Sequence, residues 1–138
     1  MNVTDRKVGD IITETITVTD EMVQLFAKCS GDFNPIHLDD DYAKSTRFGR
    51  RIAHGMISGA LISRVLAMKL GSGGIYRAQN LKFLKPIFID DEVTVILTVQ
   101  SLREEKGFAS VETLVKNKAG DVCVKGDATI MFGNKVAI

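Results

Sequence analysis

The segment that most restricts how this chain can fold runs from Met56 to Leu70. Its apolar residues Met56, Ile57, Ala60, Leu61, Ile62, Val65, Leu66, Ala67, Met68 and Leu70 cover nearly the whole circumference of a helix. A helix that is apolar on most sides must be buried on most sides. Ser63, Arg64 and Lys69 interrupt the run, so it is a core helix and not a membrane span. Gly71-Ser72-Gly73-Gly74 follows and suits a left-handed C-cap.

Something must wrap that helix, and the rest of the chain supplies strands. Residues 11–18 alternate Ile12, Glu14 and Ile16 against Thr13, Thr15 and Thr17, the β-branched pattern of a strand. Residues 75–84 predict a second strand, with Pro86 beyond its end. Val93, Val95, Leu97 and Val99 predict a third, residues 109–115 a fourth, and Val122, Val124, Ala128, Ile130 and Phe132 share one face of a fifth. Glu104–Gly107 and Asn117–Asp121 read as turns, and short turns join antiparallel neighbours. Between the first strand and the buried helix lies a helical insert. Asp20 is placed to cap a helix reaching about Cys29, Gly31 to Pro35 is a loop, and Asp39 or Asp40 opens a short helix through Ala43. The expected fold is α+β: one curved antiparallel sheet around one long central helix. At 138 residues, the whole chain 1–138 suits one domain.

Composition excludes several functions. A net charge of +1 gives no bulk attraction to nucleic acid or to an anionic membrane. Cys29 and Cys123 lack metal-type spacing and predict two buried or half-buried thiols in a reducing compartment. The stretch Met1–Lys7 lacks the apolar core of a signal peptide. These features point to a cytoplasmic protein. No metal-ligand cluster or Gly-rich nucleotide loop is apparent, so no metal and no cofactor is expected.

Two short runs carry the chemistry. Ser30-Gly31-Asp32-Phe33-Asn34-Pro35-Ile36-His37 places a carboxylate and an imidazole five residues apart around a turn-forming Asn-Pro. Ala53-His54-Gly55-Met56 follows at the start of the buried helix, and His37 and His54 are the only two histidines. From spacing alone, Asp32 and His37 are equally readable as turn chemistry, an Asx-turn aspartate beside a satisfied histidine. Gly55 would present an unpaired N–H at a helix N-terminus, where the helix dipole favours negative charge. His54 reads as structural, satisfying neighbouring backbone groups.

The element order and both runs resemble the MaoC-like hydratase family of the hot-dog fold, close to the (R)-specific enoyl-CoA hydratases. The residues that carry the likeness are Phe26, the run from Ser30 to His37, Ala43 and the block Arg51-Ile52-Ala53-His54-Gly55-Met56. Tyr76, Phe83, Pro86 and Asp90-Asp91-Glu92-Val93 extend it over nearly the whole chain. The resemblance implies reversible hydration of a trans-2-enoyl-CoA to an (R)-3-hydroxyacyl-CoA, with Asp32 and His37 as the catalytic acid–base pair. It implies the Gly55 N–H as oxyanion donor. It makes Ser63 a secondary site residue, against a default in which its hydroxyl back-bonds to the Gly59 carbonyl. Asn34 is carried as a substrate-side residue whose first role is to shape the turn. Lys82, Lys85, Arg77 and Arg103 are surface cations available to a CoA phosphate.

The expected partners are an acyl-CoA, or an acyl carrier protein bearing the same thioester, and a second copy of the chain. Hot-dog domains join two sheets edge to edge, which implies a homodimer. The alternatives are a 3-hydroxyacyl-carrier-protein dehydratase, a hot-dog thioesterase and a non-catalytic acyl-CoA-binding module. The fold alone does not choose among them. The Asp32, Asn34 and His37 pattern favours hydration over hydrolysis, and a binding module would need neither Asp32 nor His37.

Overall fold

The computed structural model describes residues 3–71 and 73–132. Its order is strand, helical insert, core helix and four strands: β1 (Ile11–Thr17), α1 (Asp20–Ser30), α2 (Pro35–Leu38), α3 (Asp40–Lys44), α4 (Gly55–Val65), β2 (Ile75–Phe83), β3 (Glu92–Arg103), β4 (Phe108–Asn117) and β5 (Val122–Met131). The strands form one sheet in the order β1-β3-β4-β5-β2, and every pairing is antiparallel. α4 packs against the sheet through Ile57, Leu61, Ile62 and Val65, among Val93, Val95, Leu97, Val111 and Val115. This is the α+β hot-dog architecture.

The local departures from expectation have physical causes. Thr19, not Asp20, caps α1, because its hydroxyl oxygen accepts the Met22 N–H at 3.2 Å. Asp20 is thereby the first helical residue and is free to meet a cation. The loop after α1 ends at Asn34. Pro35 opens α2, since its fixed φ suits a first helical position and its missing N–H costs nothing there. α4 continues into a π-helical turn over Leu66–Leu70. Gly71, the capping residue after it, is extended at φ 168° and not left-handed; Ser72 of the expected cap lies outside the described residues.

α4 is not buried all round. Met56 is 57% exposed and Met68 79%, because the sheet covers one side of the helix and α1 only part of the other. Between α1 and α4 lies an open apolar groove lined by Met22, Leu25, Phe26, Cys29, Ala60 and Leu61. Cys29 is accordingly exposed, while Cys123 is buried, and neither forms a disulfide. In β5 the register slips between Val115 and Lys116, so Cys123 enters the core where strict alternation had placed Val122.

Gly126 shows how closely the last strand is held. A Cβ there would lie 1.8 Å from the Asn80 carbonyl oxygen of β2. That oxygen also accepts from Gln79 Nε2 at 2.8 Å, and the same amide donates to buried Thr113 at 2.9 Å. Gly126→Ala is expected to force β2 and β5 apart and cost about 1–3 kcal/mol or more, the range for overpacking. Urea denaturation with an unchanged midpoint would contradict this.

Candidate active site

The site begins at the end of α1. Gly31 adopts φ 78° and donates its N–H to the Ala27 carbonyl at 2.8 Å, a left-handed cap that turns the chain sharply. Asp32 and Asn34 then shape the loop through consecutive side-chain turns. Asp32 Oδ1 accepts the Asn34 N–H at 3.2 Å, and Asn34 Oδ1 accepts the Ile36 N–H at 3.3 Å. α2 follows and carries His37 inward to 8% exposure. The turn chemistry and the placement of the titratable pair are therefore the same structure seen from two sides.

The segment Arg51–His54 meets His37 from the other direction. Ile52 N–H donates to the Ile36 carbonyl at 3.2 Å, and His37 Nδ1–H donates to the Ile52 carbonyl at 2.8 Å. A carbonyl only accepts, so the proton sits on Nδ1 and Nε2 carries the lone pair of the neutral ring. Arg51 braces the arrangement: its Nε donates to the His37 carbonyl at 2.8 Å, and its other nitrogens reach Asp20 at 2.5 Å and Asp40 at 3.8 Å. The Arg51 guanidinium holds the Asp20 carboxyl below the usual carboxylate range. Ala53 N–H donates to the Ile87 carbonyl at 2.7 Å, tying the segment to the chain between β2 and β3.

His54 follows, 2% exposed. Its ring stacks on His37 with centroids 4.0 Å apart and meets Phe26 at 4.9 Å. Its Nε2–H donates to the Asp32 backbone carbonyl at 3.0 Å. One titratable atom from each of Asp32, His37 and His54 lies within 4.8 Å of the others. Stacked rings point their in-plane lone pairs alongside one another instead of toward a common point. The trio is consequently better built for proton transfer than for chelation.

His54 is also the N-cap residue of α4, and its side chain makes no capping bond. The terminal N–H groups of Gly55 and Met56 thus have no side-chain cap at the end of a helix whose dipole favours negative charge. His37, His54 and Gly55 line one cleft of about 260 Å³, together with Ser58, Phe83 and Val124. Arg47 and Lys85 bring positive charge to the same cleft. Lys85 pairs with Asp121 at 3.2 Å, and Arg47 lies 4.9 Å over the Phe48 ring.

His37 and Gly55 line the cleft, whereas Asp32 is exposed and does not line it, although its carboxylate lies within 4.8 Å of ring nitrogens of His37 and His54. Asn34 is spent on the α2 cap and does not line the cleft. Ser63 does not line it either. The serine that does is Ser58, 2% exposed and one turn beyond Gly55. The five-position spacing from Ser58 to Ser63 rotates Ser63 by about 140° around the helix. The spacing of Ser58 from Gly55 was a usable signal, because residues three apart share a helix face. Arg47 and Arg51 were not separable from surface cations by sequence.

An exposed carboxylate and a buried imidazole beside an uncapped helix terminus, inside a hot-dog fold, define a class of enzyme that moves protons next to a developing oxyanion. The MaoC like domain matches residues 4–121, and the chain belongs to that family. It is 44% identical over 128 residues to an (R)-specific enoyl-CoA hydratase of Rhodospirillum rubrum, covering 92% of this chain and 88% of that one. An R-hydratase from Pseudomonas aeruginosa, in its unliganded form, superposes with a TM-score of 0.91 at 41% identity, covering 97% of this chain and 86% of the other. A mitochondrial 3-hydroxyacyl-[acyl-carrier-protein] dehydratase of Arabidopsis thaliana is 32% identical, covering 93% and 78% of the two chains.

Burial lowers the proton affinity of His37 below its ordinary value near 6.5; the His54 ring lowers it further, while the Ile52 carbonyl and Asp32 oppose the shift. Between the two values the unfolded chain binds more protons than the folded one, so stability falls as pH drops below about 6.5 and levels off once the folded ring is also protonated. The urea midpoint is expected to decline from pH 7 to pH 5, and to decline less in His37→Gln. An equal decline in the variant would contradict this assignment.

Proposed function

We propose that this protein is an (R)-specific enoyl-CoA hydratase, converting trans-2-enoyl-CoA and (R)-3-hydroxyacyl-CoA reversibly. The observation that carries the reading is the juxtaposition of two proton acceptors, His37 Nε2 and the Asp32 carboxylate, with the uncapped N–H groups of Gly55 and Met56. The lowered proton affinity of His37 keeps its ring in the base form at neutral pH.

In the hydration direction, a water held by the pair loses a proton to it as its oxygen bonds to C3. The π electrons shift toward the thioester oxygen, which the Gly55 N–H stabilises as an enolate. The pair then returns a proton to C2, and the thioester carbonyl re-forms. Each such oxyanion donor is worth about 2.7–4 kcal/mol of barrier. The steps move only protons, so the reaction needs no metal, redox or group-carrying cofactor. Arg47 and Lys85 are placed to receive phosphate oxygens of a CoA. The likeness to a carrier-protein dehydratase keeps an acyl carrier protein as a second thioester source, with the same chemistry. Thiols without a bridge favour a reducing compartment, the cytoplasm. Among the described residues no helix is long and apolar enough to cross a membrane.

A homodimer completes the reading. β2 is a nine-residue edge strand whose residues Tyr76, Arg77, Ala78, Asn80, Lys82 and Phe83 are exposed. Pairing it with the same strand of a second copy would cover that edge. Sedimentation is expected to give a dimer, and a fully active monomer would refute it.

The purified protein is expected to remove the conjugated enoyl absorbance of crotonyl-CoA and yield the (R)-3-hydroxy product by chiral analysis. Folded Asp32→Asn and His37→Gln are each expected to lose at least about 100-fold, the scale of general acid–base catalysis. Release of free thiol at a comparable rate would instead mark a thioesterase, and near-normal rates in the variants would remove the pair from the chemistry.

A further inference from the structure

His54 has more connections to the reacting groups than a structural histidine needs. Its ring bridges three parts of the site: the loop carrying Asp32, the ring of His37, and Phe26 on α1. The bridge is specific. Nε2–H reaches the Asp32 carbonyl at 3.0 Å, one face covers His37 at 4.0 Å, and Phe26 closes on the ring from α1 at 4.9 Å.

The remaining nitrogen, Nδ1, is buried and has no hydrogen-bond partner. Ordinary packing would fill that position with a carbon or satisfy the nitrogen. Keeping an imidazole here at the expense of one bare nitrogen makes sense if the other nitrogen, and the flat ring, are needed. His54 also occupies a helix N-cap without capping the helix. Asp, Asn, Ser or Thr at this position would satisfy one of the terminal N–H groups. They could not at the same time reach the Asp32 carbonyl and cover His37.

We propose that His54 is a positioning residue for the hydration reaction: its Nε2–H fixes the Asp32 loop while its ring face holds the His37 imidazole, so that the carboxylate and Nε2 of His37 address the same water. His54 does not itself exchange protons with substrate. This inference rests on the hydratase reading, and wild-type turnover of crotonyl-CoA tests that reading separately. The titratable groups beside the ring are Asp32 from the loop and His37 from α2, and Arg47 and Lys85 line the same cleft.

Two substitutions separate the donor from the ring. His54→Phe keeps an aromatic face against His37 and Phe26 but has no N–H. His54→Gln loses the face but presents an amide N–H that can reach the Asp32 carbonyl. Loss of alignment between reacting groups by about 1 Å is worth about 100-fold. We expect His54→Phe to lower kcat about 100-fold with KM within threefold of wild type, since phenylalanine keeps the ring face that lines the cleft. We expect His54→Gln to recover at least tenfold of that loss. A folded His54→Phe enzyme within threefold of the wild-type kcat would overturn the proposal. So would a folded His54→Gln enzyme no faster than His54→Phe. If His54→Phe does not fold, His54→Gln is read against wild type: a kcat within tenfold supports the proposal, and a greater loss overturns it.

Discussion

The hydrogen bond from His37 Nδ1–H to the Ile52 carbonyl is the contact on which the site depends. It ties α2 to the segment that leads into α4, alongside the bonds from Ile52 N–H to Ile36 and from Arg51 to the His37 carbonyl. It also decides the chemistry of His37, because a carbonyl partner leaves Nε2 bare and able to accept a proton. The segment carrying Ile52 is itself fixed on both sides: Ile52 N–H binds the Ile36 carbonyl, and Ala53 N–H binds the Ile87 carbonyl beyond β2. Arg51 adds a charged brace to Asp20 on α1. The site is thus assembled by backbone groups of a segment that is neither helix nor strand, and the sheet serves as its foundation.

From that arrangement follows a division of labour. The loop after Gly31 bends through side-chain turns at Asp32 and Asn34 and delivers a carboxylate. α2 delivers an imidazole. α4 delivers N–H groups that its N-cap leaves bare. Each departs from what would be most stable locally, by leaving a helix end uncapped or a titratable ring buried. Such local costs are common where a fold is shaped for function.

Much of the fold was legible because two periodicities are strong. The apolar helix and the alternating strands required a sheet around a helix, and the five strands fall where the pattern put them. The turn around Asp32 and Asn34 and the helix start at Gly55 were legible from turn formers and glycine, while the roles of Asp32, His37 and Gly55 came with the family resemblance. The misses share another cause. Thr19 rather than Asp20 caps α1, since both residue types cap and only the dihedral angles choose. Exposed Met56 and Met68 reflect how much of α4 one sheet can cover, which no pattern within the helix records. Ser63 was carried as a site residue by resemblance, whereas the serine lining the cleft is Ser58. Arg51 looked like any surface cation because its partners, Asp20 and the His37 carbonyl, are distant or backbone.

The central claim is that backbone carbonyls set the two imidazoles in opposite tautomers, and this is directly measurable. Long-range proton–nitrogen NMR correlation of the free protein at pH 8 reports which ring nitrogen carries hydrogen. The account predicts His37 protonated at Nδ1 and His54 protonated at Nε2, in accord with their bonds to the Ile52 and Asp32 carbonyls. A spectrum with His37 protonated at Nε2 would contradict it, because the nitrogen facing the cleft would then be a donor and the ring could not take the proton of the attacking water.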